Sequence, residues 1–190
     1  MGHKLPKYVH KLDSPLRKKW QDVDKFIMVL KPFEGMIYVD IGVGTGYFSI
    51  PVAERFKGTK IIGLDKSKEM LDYFLSRVKE KGLNKIFAAV CPESSIPISD
   101  DYADRINIAN VLHELSGPIS LLKEAKRILK GGGRLILIDW KAIETEKGPP
   151  LHIRIEEEKA KQLLKEASFR IIKLHNIYPY HYVIESTKEI

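Results

Sequence analysis

The sequence predicts an α/β fold: a doubly wound, mostly parallel sheet of seven strands that ends in an antiparallel hairpin. Three observations carry this. Strand-like and helix-like apolar patterns alternate from Met36 to Asp139, the order that builds a parallel sheet covered by helices. A glycine-rich turn, Gly42-Val43-Gly44-Thr45-Gly46, follows the first strand and opens a helix. The last two strand-like runs are separated only by a short turn at Tyr178-Pro179, too short for the crossover that parallel neighbours require.

Along the chain, residues 1–13 read as irregular. Ser14-Pro15 then supplies a helix N-cap with proline at the first helical position. Leu16, Trp20, Val23, Ile27 and Leu30 follow at helical spacing and predict one helix that Lys31-Pro32 stops. Ile37 to Ile41 reads as the first strand, 47–56 as a helix and 60–64 as the second strand. Ser67 can cap a helix whose Met70, Leu71, Phe74, Leu75 and Val78 share a face, with Gly82 closing it. Strands follow at 85–90 and 103–109. Gly117-Pro118 opens a helix carrying Leu121, Leu122, Ala125, Ile128 and Leu129 that ends at Gly131, and 134–139 is the fifth strand. Beyond a loop rich in Gly and Pro, 156–167 reads as a helix whose three leading glutamates complement the positive end of its dipole. Strands at 170–176 and 180–186 complete the sheet.

Composition bounds the class. With 190 residues, 44% apolar and 30% charged, the chain suits one domain, 1–190, with 1–34 as an N-terminal segment and helix and 35–190 as the core. These fractions exclude a disordered chain and a membrane-embedded one, and no apolar run approaches the roughly 20 residues of a spanning helix. The basic start MGHKLPKYVHKL is followed by no apolar stretch, so no signal peptide is expected. A single cysteine, Cys91, excludes an internal disulfide and a cysteine-cluster zinc site; no metal is expected, and the compartment predicted is the cytoplasm. Lys plus Arg number 32 against 25 acids, giving a net charge of +7. The bases are scattered, densest at Arg17, Lys18 and Lys19, which suits a solvated surface; the alternative is an anionic partner such as nucleic acid. Four asparagines and two glutamines beside abundant Lys and Glu fit a heat-adapted protein.

The informative stretch is Val39-Asp40-Ile41-Gly42-Val43-Gly44-Thr45-Gly46-Tyr47, a buried strand feeding a glycine turn that opens a helix. In open α/β sheets nucleotides bind in the crevice at the carboxyl ends of the strands. Asp65 ends the second strand, 19 residues past Gly46, where an acid can accept hydrogen bonds from both hydroxyls of a ribose. A dinucleotide site would want Gly-x-Gly-x-x-Gly, but position 47 is tyrosine, which disfavours an NAD-dependent oxidoreductase. The spacing is Gly-x-Gly-x-Gly, with Asp40 two residues before the first glycine.

On these residues the chain resembles the class I S-adenosylmethionine (SAM)-dependent methyltransferases, most closely the small-molecule branch that includes the ubiquinone/menaquinone and arsenite methyltransferases. The likeness runs from about Trp20 to Glu185 and takes in Ala109-Asn110-Val111-Leu112-His113-Glu114-Leu115 and Leu129-Lys130-Gly131-Gly132-Gly133. It implies a Rossmann-like fold, SAM as cofactor with S-adenosylhomocysteine (SAH) as product, and a small-molecule acceptor methylated at oxygen or carbon. By the same resemblance Asp40, Gly42 and Gly44 line the methionine end of the cofactor and Gly46 shapes the turn. Asp65 binds the ribose, Lys66 and Met70 lie near the adenine, and Asn110 closes the site beneath the methionine. Where the family often has Asp-Ala after strand three, this chain has Cys91-Pro92-Glu93-Ser94-Ser95, and Glu93 is the candidate for the adenine amino group. The usual Ala-Gly-Phe after the last helix reads Ala167-Ser168-Phe169, which alters a helix cap and not the chemistry.

SAM carries an activated methyl, so alignment supplies most of the catalysis and no catalytic residue is obligatory. For a hydroxyl acceptor a base helps, and His113, beside Glu114 after strand four, is the candidate base or substrate contact; its alternative role is to close the floor of the site. Tyr178, Tyr180, His181 and Tyr182, with Trp140 and Lys141, are read as strand packing or an acceptor wall. Trp20 is read as the anchor of its helix or a lid, and Tyr8 and His10 as parts of a lid. Cys91 is read as a small buried side chain rather than a nucleophile. One cysteine argues against arsenite as acceptor, and Asn110-Val111-Leu112-His113 lacks the Pro-Pro-Tyr of amino-methylating enzymes. The competing readings are an RNA or protein acceptor, and a non-catalytic SAM-binding module.

Overall fold

The structure, a computed structural model, describes residues 9–189. Tyr8 and the side chain of His10, named above as parts of a lid, lie outside the described residues. At the centre of the sheet is β1 (Ile37–Ile41), apolar but for Asp40 and buried from its second residue on. Parallel to it on one side lie β2 (Lys60–Asp65) and then β3 (Ile86–Val90); on the other lie β4 (Ala103–Ala109) and then β5 (Leu129–Trp140). Beyond β5 the strands β6 (Phe169–Leu174) and β7 (His181–Lys188) run antiparallel, with β7 inserted between β5 and β6, so the order is β3-β2-β1-β4-β5-β7-β6. The chain therefore leaves β3 on one side of β1 and re-enters as β4 on the other. That reversal opens a crevice above the carboxyl ends of β1 and β4.

Seven helices flank the sheet among the described residues: α1 (Val9–Leu12), α2 (Pro15–Trp20), α3 (Val23–Leu30), α4 (Ser49–Arg55), α5 (Lys68–Glu80), α6 (Pro118–Ile128) and α7 (Glu157–Glu166). One face of the sheet presents Val39, Ile106, Leu135 and Leu137 to Leu122, Ala125 and Leu164 of α6 and α7. The other presents Tyr38, Ile61, Ile136 and Ile138 to Phe26, Leu30 and Val52 of α3 and α4. Leu71, Phe74 and Val78 of α5 close on Val43 and Ile50. Phe26, Leu30 and Phe74 have no exposed surface, and each such side chain contributes about 1.5–3 kcal/mol by leaving water. No helix among the described residues is long and apolar enough to cross a membrane.

Several boundaries differ from those expected. The single helix over 15–30 is two, α2 and α3, because Asp22 starts a new one: its carboxylate accepts from the amides of Asp24 (2.7 Å) and Lys25 (3.2 Å). Residues 9–12 form a short helix rather than irregular chain. Leu75 lies at the rim of the buried stripe of α5 and is 39% exposed. The glycines at 131–133 lie inside β5, which begins at Leu129 and shifts register against β4 near Arg105.

Ser168 follows α7 with φ +60°, in the left-handed region that costs an ordinary residue about 1–2 kcal/mol and glycine nothing. We expect Ser168→Gly to raise stability by about 0.5–1 kcal/mol after the greater freedom of glycine in the unfolded chain is offset. Thermal denaturation reads this as a small upward shift of the midpoint; a fall would show that the Ser168 side chain holds the turn.

Candidate active site

The crevice is shaped by the backbone reversal after β1. The amides of Gly42 and Val43 both donate to the carbonyl of Leu64 (2.8 and 2.9 Å), which ties the turn to the end of β2. Gly42 has φ +76°, and a Cβ there would lie 2.2 Å from Cγ2 of Val111, on the segment leaving β4. Gly46 has φ +78°, and a Cβ there would lie 2.6 Å from the ring of Phe74 in α5. Glycine is thus what lets β4 and α5 close around the turn. The amide of Gly44 donates to Oδ2 of Asp65 (3.0 Å) and that of Ser67 to Oδ1 (3.0 Å). The acid at the end of β2 is therefore aimed over the turn by two amides, and each oxygen keeps a lone pair for a further donor.

Above the turn lies a cavity of about 510 Å³, within the range of metabolite clefts. Gly42, Gly44, Asp65, Lys66, Met70, Glu93 and Asn110 all contribute to its wall. Met70 is buried, Lys66 pairs with Glu114 at 3.5 Å, and Glu93 accepts from the Ser116 hydroxyl at 3.4 Å. Cys91 is also on the wall; burial, reinforced by Glu124 and Asp65, pushes its thiol up to about 11 and suppresses the thiolate.

Asp40 departs from the expected place. The pleat of β1 sends its side chain beneath the turn, toward α4, rather than into the cavity. There it is 3% exposed and accepts from Ser49 Oγ (2.5 Å) and Asn107 Nδ2 (2.8 Å), which stitches β1 to α4 and β4. Burial raises its pKa to about 6 against the opposing hydrogen bonds. Gly46, expected to shape the turn, likewise lies off the cavity wall and against Phe74.

The N-terminal helices close the other end; a lid from this segment was one reading of Trp20, but the residues that reach the cavity are others. Gln21 is 1% exposed and exchanges two amide hydrogen bonds with Asn110: Nε2 to Oδ1 at 3.2 Å, and Asn110 Nδ2 to Oε1 at 3.0 Å. Asn110 sits at the end of β4 with φ +59°, a conformation that asparagine tolerates better than most residues. Arg17 and Leu12 join the cavity wall. Their one legible sign was the helical i, i+4 spacing of Arg17 and Gln21, whose side chains bond at 2.9 Å.

His113 lies in a 3₁₀ turn, Leu112–Glu114, directly after β4. Its Nδ1 is 2.6 Å from Asp139 on β5, whose carboxylate also accepts from the amides of His113 (3.1 Å) and Trp140 (2.8 Å). Asp139 is fully buried and the His113 side chain is 6% exposed, so His113, expected as a base or substrate contact, is held inward against Asp139 and does not line the cavity. Behind this pair the residues read as strand packing or an acceptor wall take the first role, packing on one another and not lining the cavity. Trp20 packs edge-on against Trp140 (6.1 Å) and Tyr180 (5.4 Å), and Trp140 lies over His181 (4.2 Å). Lys141 donates to the carbonyls of Tyr178 (3.3 Å) and Pro179 (3.2 Å). His181 is buried with neither ring nitrogen bonded among the described residues. Burial, followed by the charges of Arg17, Arg154 and Lys141, draws its pKa down to about 3.

A doubly wound sheet with an acid held across a Gly-x-Gly-x-Gly turn at its switch point defines the class I SAM-dependent methyltransferase architecture. Comparison with known proteins agrees: the family described as "Methyltransferase domain" matches residues 39–137. The chain belongs to this methyltransferase family. It is 34% identical over 123 residues to the demethylmenaquinone methyltransferase of Bacillus velezensis, covering 64% of this chain and 52% of that protein. The chain thus spans about half the length of the curated relatives it matches. Among solved structures, a SAM-dependent methyltransferase from Aquifex aeolicus has a TM-score of 0.86 and 31% identity, over 93% of this chain and 94% of that one. The [4+2]-cyclase SpnF, at 19% identity, shares the fold alone, with a TM-score of 0.78 over 88% of this chain and 80% of that one.

The buried neutral His181 yields a stability prediction. Between pH 6.5 and about 3 the unfolded chain protonates this ring and the folded chain does not, so its contribution is complete above 6.5 and is lost as pH falls through that window. Relative to wild type, His181→Phe should therefore gain stability on acidification from pH 7 to 4.5, by at most about 1.4 kcal/mol per pH unit. Denaturant unfolding of both proteins at several pH values measures this. A difference independent of pH would show that His181 protonates freely in the fold.

Proposed function

We propose that this chain is a SAM-dependent methyltransferase that methylates a small-molecule acceptor at oxygen or carbon. The carrying observation is the cavity at the switch point, where the Gly42–Gly46 turn removes side-chain bulk and the Asp65 carboxylate faces across it. A cleft of that size, with a fixed carboxylate and a glycine wall, fits a nucleoside joined to an amino acid. SAM, when bound, supplies a methyl group already activated on a sulfonium. What the chain supplies is placement: Asp65 accepts the ribose hydroxyls, while Lys66, Met70 and Glu93 border the adenine. Gly42, Gly44 and Asn110 border the methionine portion. Asp40 acts at one remove, holding β1, α4 and β4 in register beneath the turn.

Alignment of acceptor and methyl is worth up to about 7–11 kcal/mol in favourable intramolecular cases. For a hydroxyl acceptor His113 is the candidate base in this reading, although its side chain lies off the cavity wall. A proton on Nδ1, 2.6 Å from Asp139, would leave the lone pair of Nε2 to take the acceptor proton, an effect of about 10²–10⁴-fold. The demethylmenaquinone methyltransferase relative favours a small molecule over RNA or protein as acceptor. Residues 35–190 form the catalytic domain in this reading, with the preceding segment as its clasp.

Calorimetric titration with SAM and SAH tests the reading. We expect micromolar dissociation constants for both, and Asp65→Ala should weaken them by about ten- to a hundredfold, the scale of hydrogen bonds to a charged group. No heat and no thermal stabilisation by either compound would overturn the proposal. Unchanged affinity in Asp65→Ala would place the ribose elsewhere.

A further inference from the structure

We infer that Arg17 binds the carboxylate at the amino-acid end of the cofactor, held in position by the Gln21–Asn110 amide pair. This rests on the function proposed above and adds to it a determinant of ligand choice outside the sheet core.

The cavity wall is electrically lopsided. Asp65, Glu69, Glu93 and Glu114 contribute carboxylates, and the cations are Lys66 and Arg17. Lys66 already has a partner in Glu114. Arg17 forms no ion pair among the described residues. Its Nε donates to Gln21 Oε1 (2.9 Å) and its Nη1 to the carbonyl of Leu12 (2.8 Å), both neutral acceptors, and Nη2 has no described partner. The guanidinium lies 4.0 Å over the ring of Tyr47, the residue after the glycine turn. Burial lowers its pKa, in keeping with a charge removed from water and incompletely compensated. Such a charge is costly unless a ligand completes the pair, and a carboxylate meets a guanidinium through two parallel hydrogen bonds.

Its orientation is built rather than incidental. The adjoining Lys18 and Lys19 are exposed, as lysines on a solvated helix should be, whereas Arg17 is turned inward. Gln21 Oε1 accepts from Arg17 Nε and from Asn110 Nδ2 together, so one oxygen fixes the guanidinium to the end of β4. Tyr47 adds a second anchor, its hydroxyl donating to the Gln21 carbonyl at 2.7 Å. Arg17 therefore stands beside Asn110 and the glycine turn, the end that receives the amino-acid portion, while Asp65 serves the sugar. SAM and SAH carry a free carboxylate at that end, whereas the nucleoside half is uncharged.

The test compares SAH with its decarboxylated analogue, S-adenosyl-3-thiopropylamine, which keeps the amine and the adenosine. Calorimetry on the wild-type chain should show the analogue binding about ten- to a hundredfold more weakly. Arg17→Gln should lose that factor for SAH and nothing for the analogue, closing the gap, and Arg17→Lys should fall between. Equal loss for both ligands would assign Arg17 to holding the fold, and unchanged SAH affinity would remove it from the site; either overturns the inference alone. Should Arg17→Gln not fold, the wild-type comparison still decides, because equal affinity for the two ligands contradicts a carboxylate contact. A wild-type chain that binds neither overturns the proposed function and this inference with it.

Discussion

The structure depends on a backbone reversal at the end of β1 that leaves no room for a side chain at positions 42 and 46. A Cβ at position 42 would strike Val111 and one at 46 would strike Phe74, so the segments after β4 and within α5 can approach only because glycine occupies both sites. That close approach brings the Gly44 amide to the Asp65 carboxylate and fixes the distance between the turn and the acid. Asp40 works from beneath, where Ser49 and Asn107 tie it to the neighbouring elements. The cavity is thus a by-product of how three strands and two helices meet at one turn.

Around that centre the N-terminal helices form a clasp with two grips. Gln21 engages Asn110 near the cavity, and Trp20 docks edge-on among Trp140 and Tyr180 at the hairpin. The hydroxyl of Tyr178 donates to the carbonyl of Asp22 (2.8 Å), fastening the break between α2 and α3 to the hairpin as well. The clasp links the cavity to the buried His113–Asp139 pair, which occupies the strand ends on the β5 side. Charge on the cavity wall is uneven: Asp65, Glu69, Glu93 and Glu114 supply carboxylates, and Arg17, tied through Gln21 to Asn110, is a cation without an ion-pair partner among the described residues.

Much of this was legible in the residue order because local and global signals agree there. The Gly-x-Gly-x-Gly spacing and the acid ending β2 follow from backbone geometry, and the strand periods fixed which residues flank the crevice. Ser14 and Ser67 cap their helices as the capping preference requires. What was not legible depends on contacts between distant segments. The break at Gln21-Asp22 interrupts an unbroken apolar period, because a cap at Asp22 and a buried amide pair to Asn110, 89 positions away, outweigh helix continuity. Arg17 looked like one member of a basic cluster, since spacing alone cannot tell an inward guanidinium from a solvated one. Asp40 matched its motif in position but faces the other way, because the two-residue pleat of β1 decides which side of the sheet it serves.

The most direct measurement is a crystal structure of the chain grown with SAH. The ribose hydroxyls should lie about 3 Å from the Asp65 carboxylate, with the amino-acid portion over the Gly42–Gly46 turn. A cavity filled by side chains, or a nucleoside bound elsewhere while Asp65 faces solvent, would contradict the central claim.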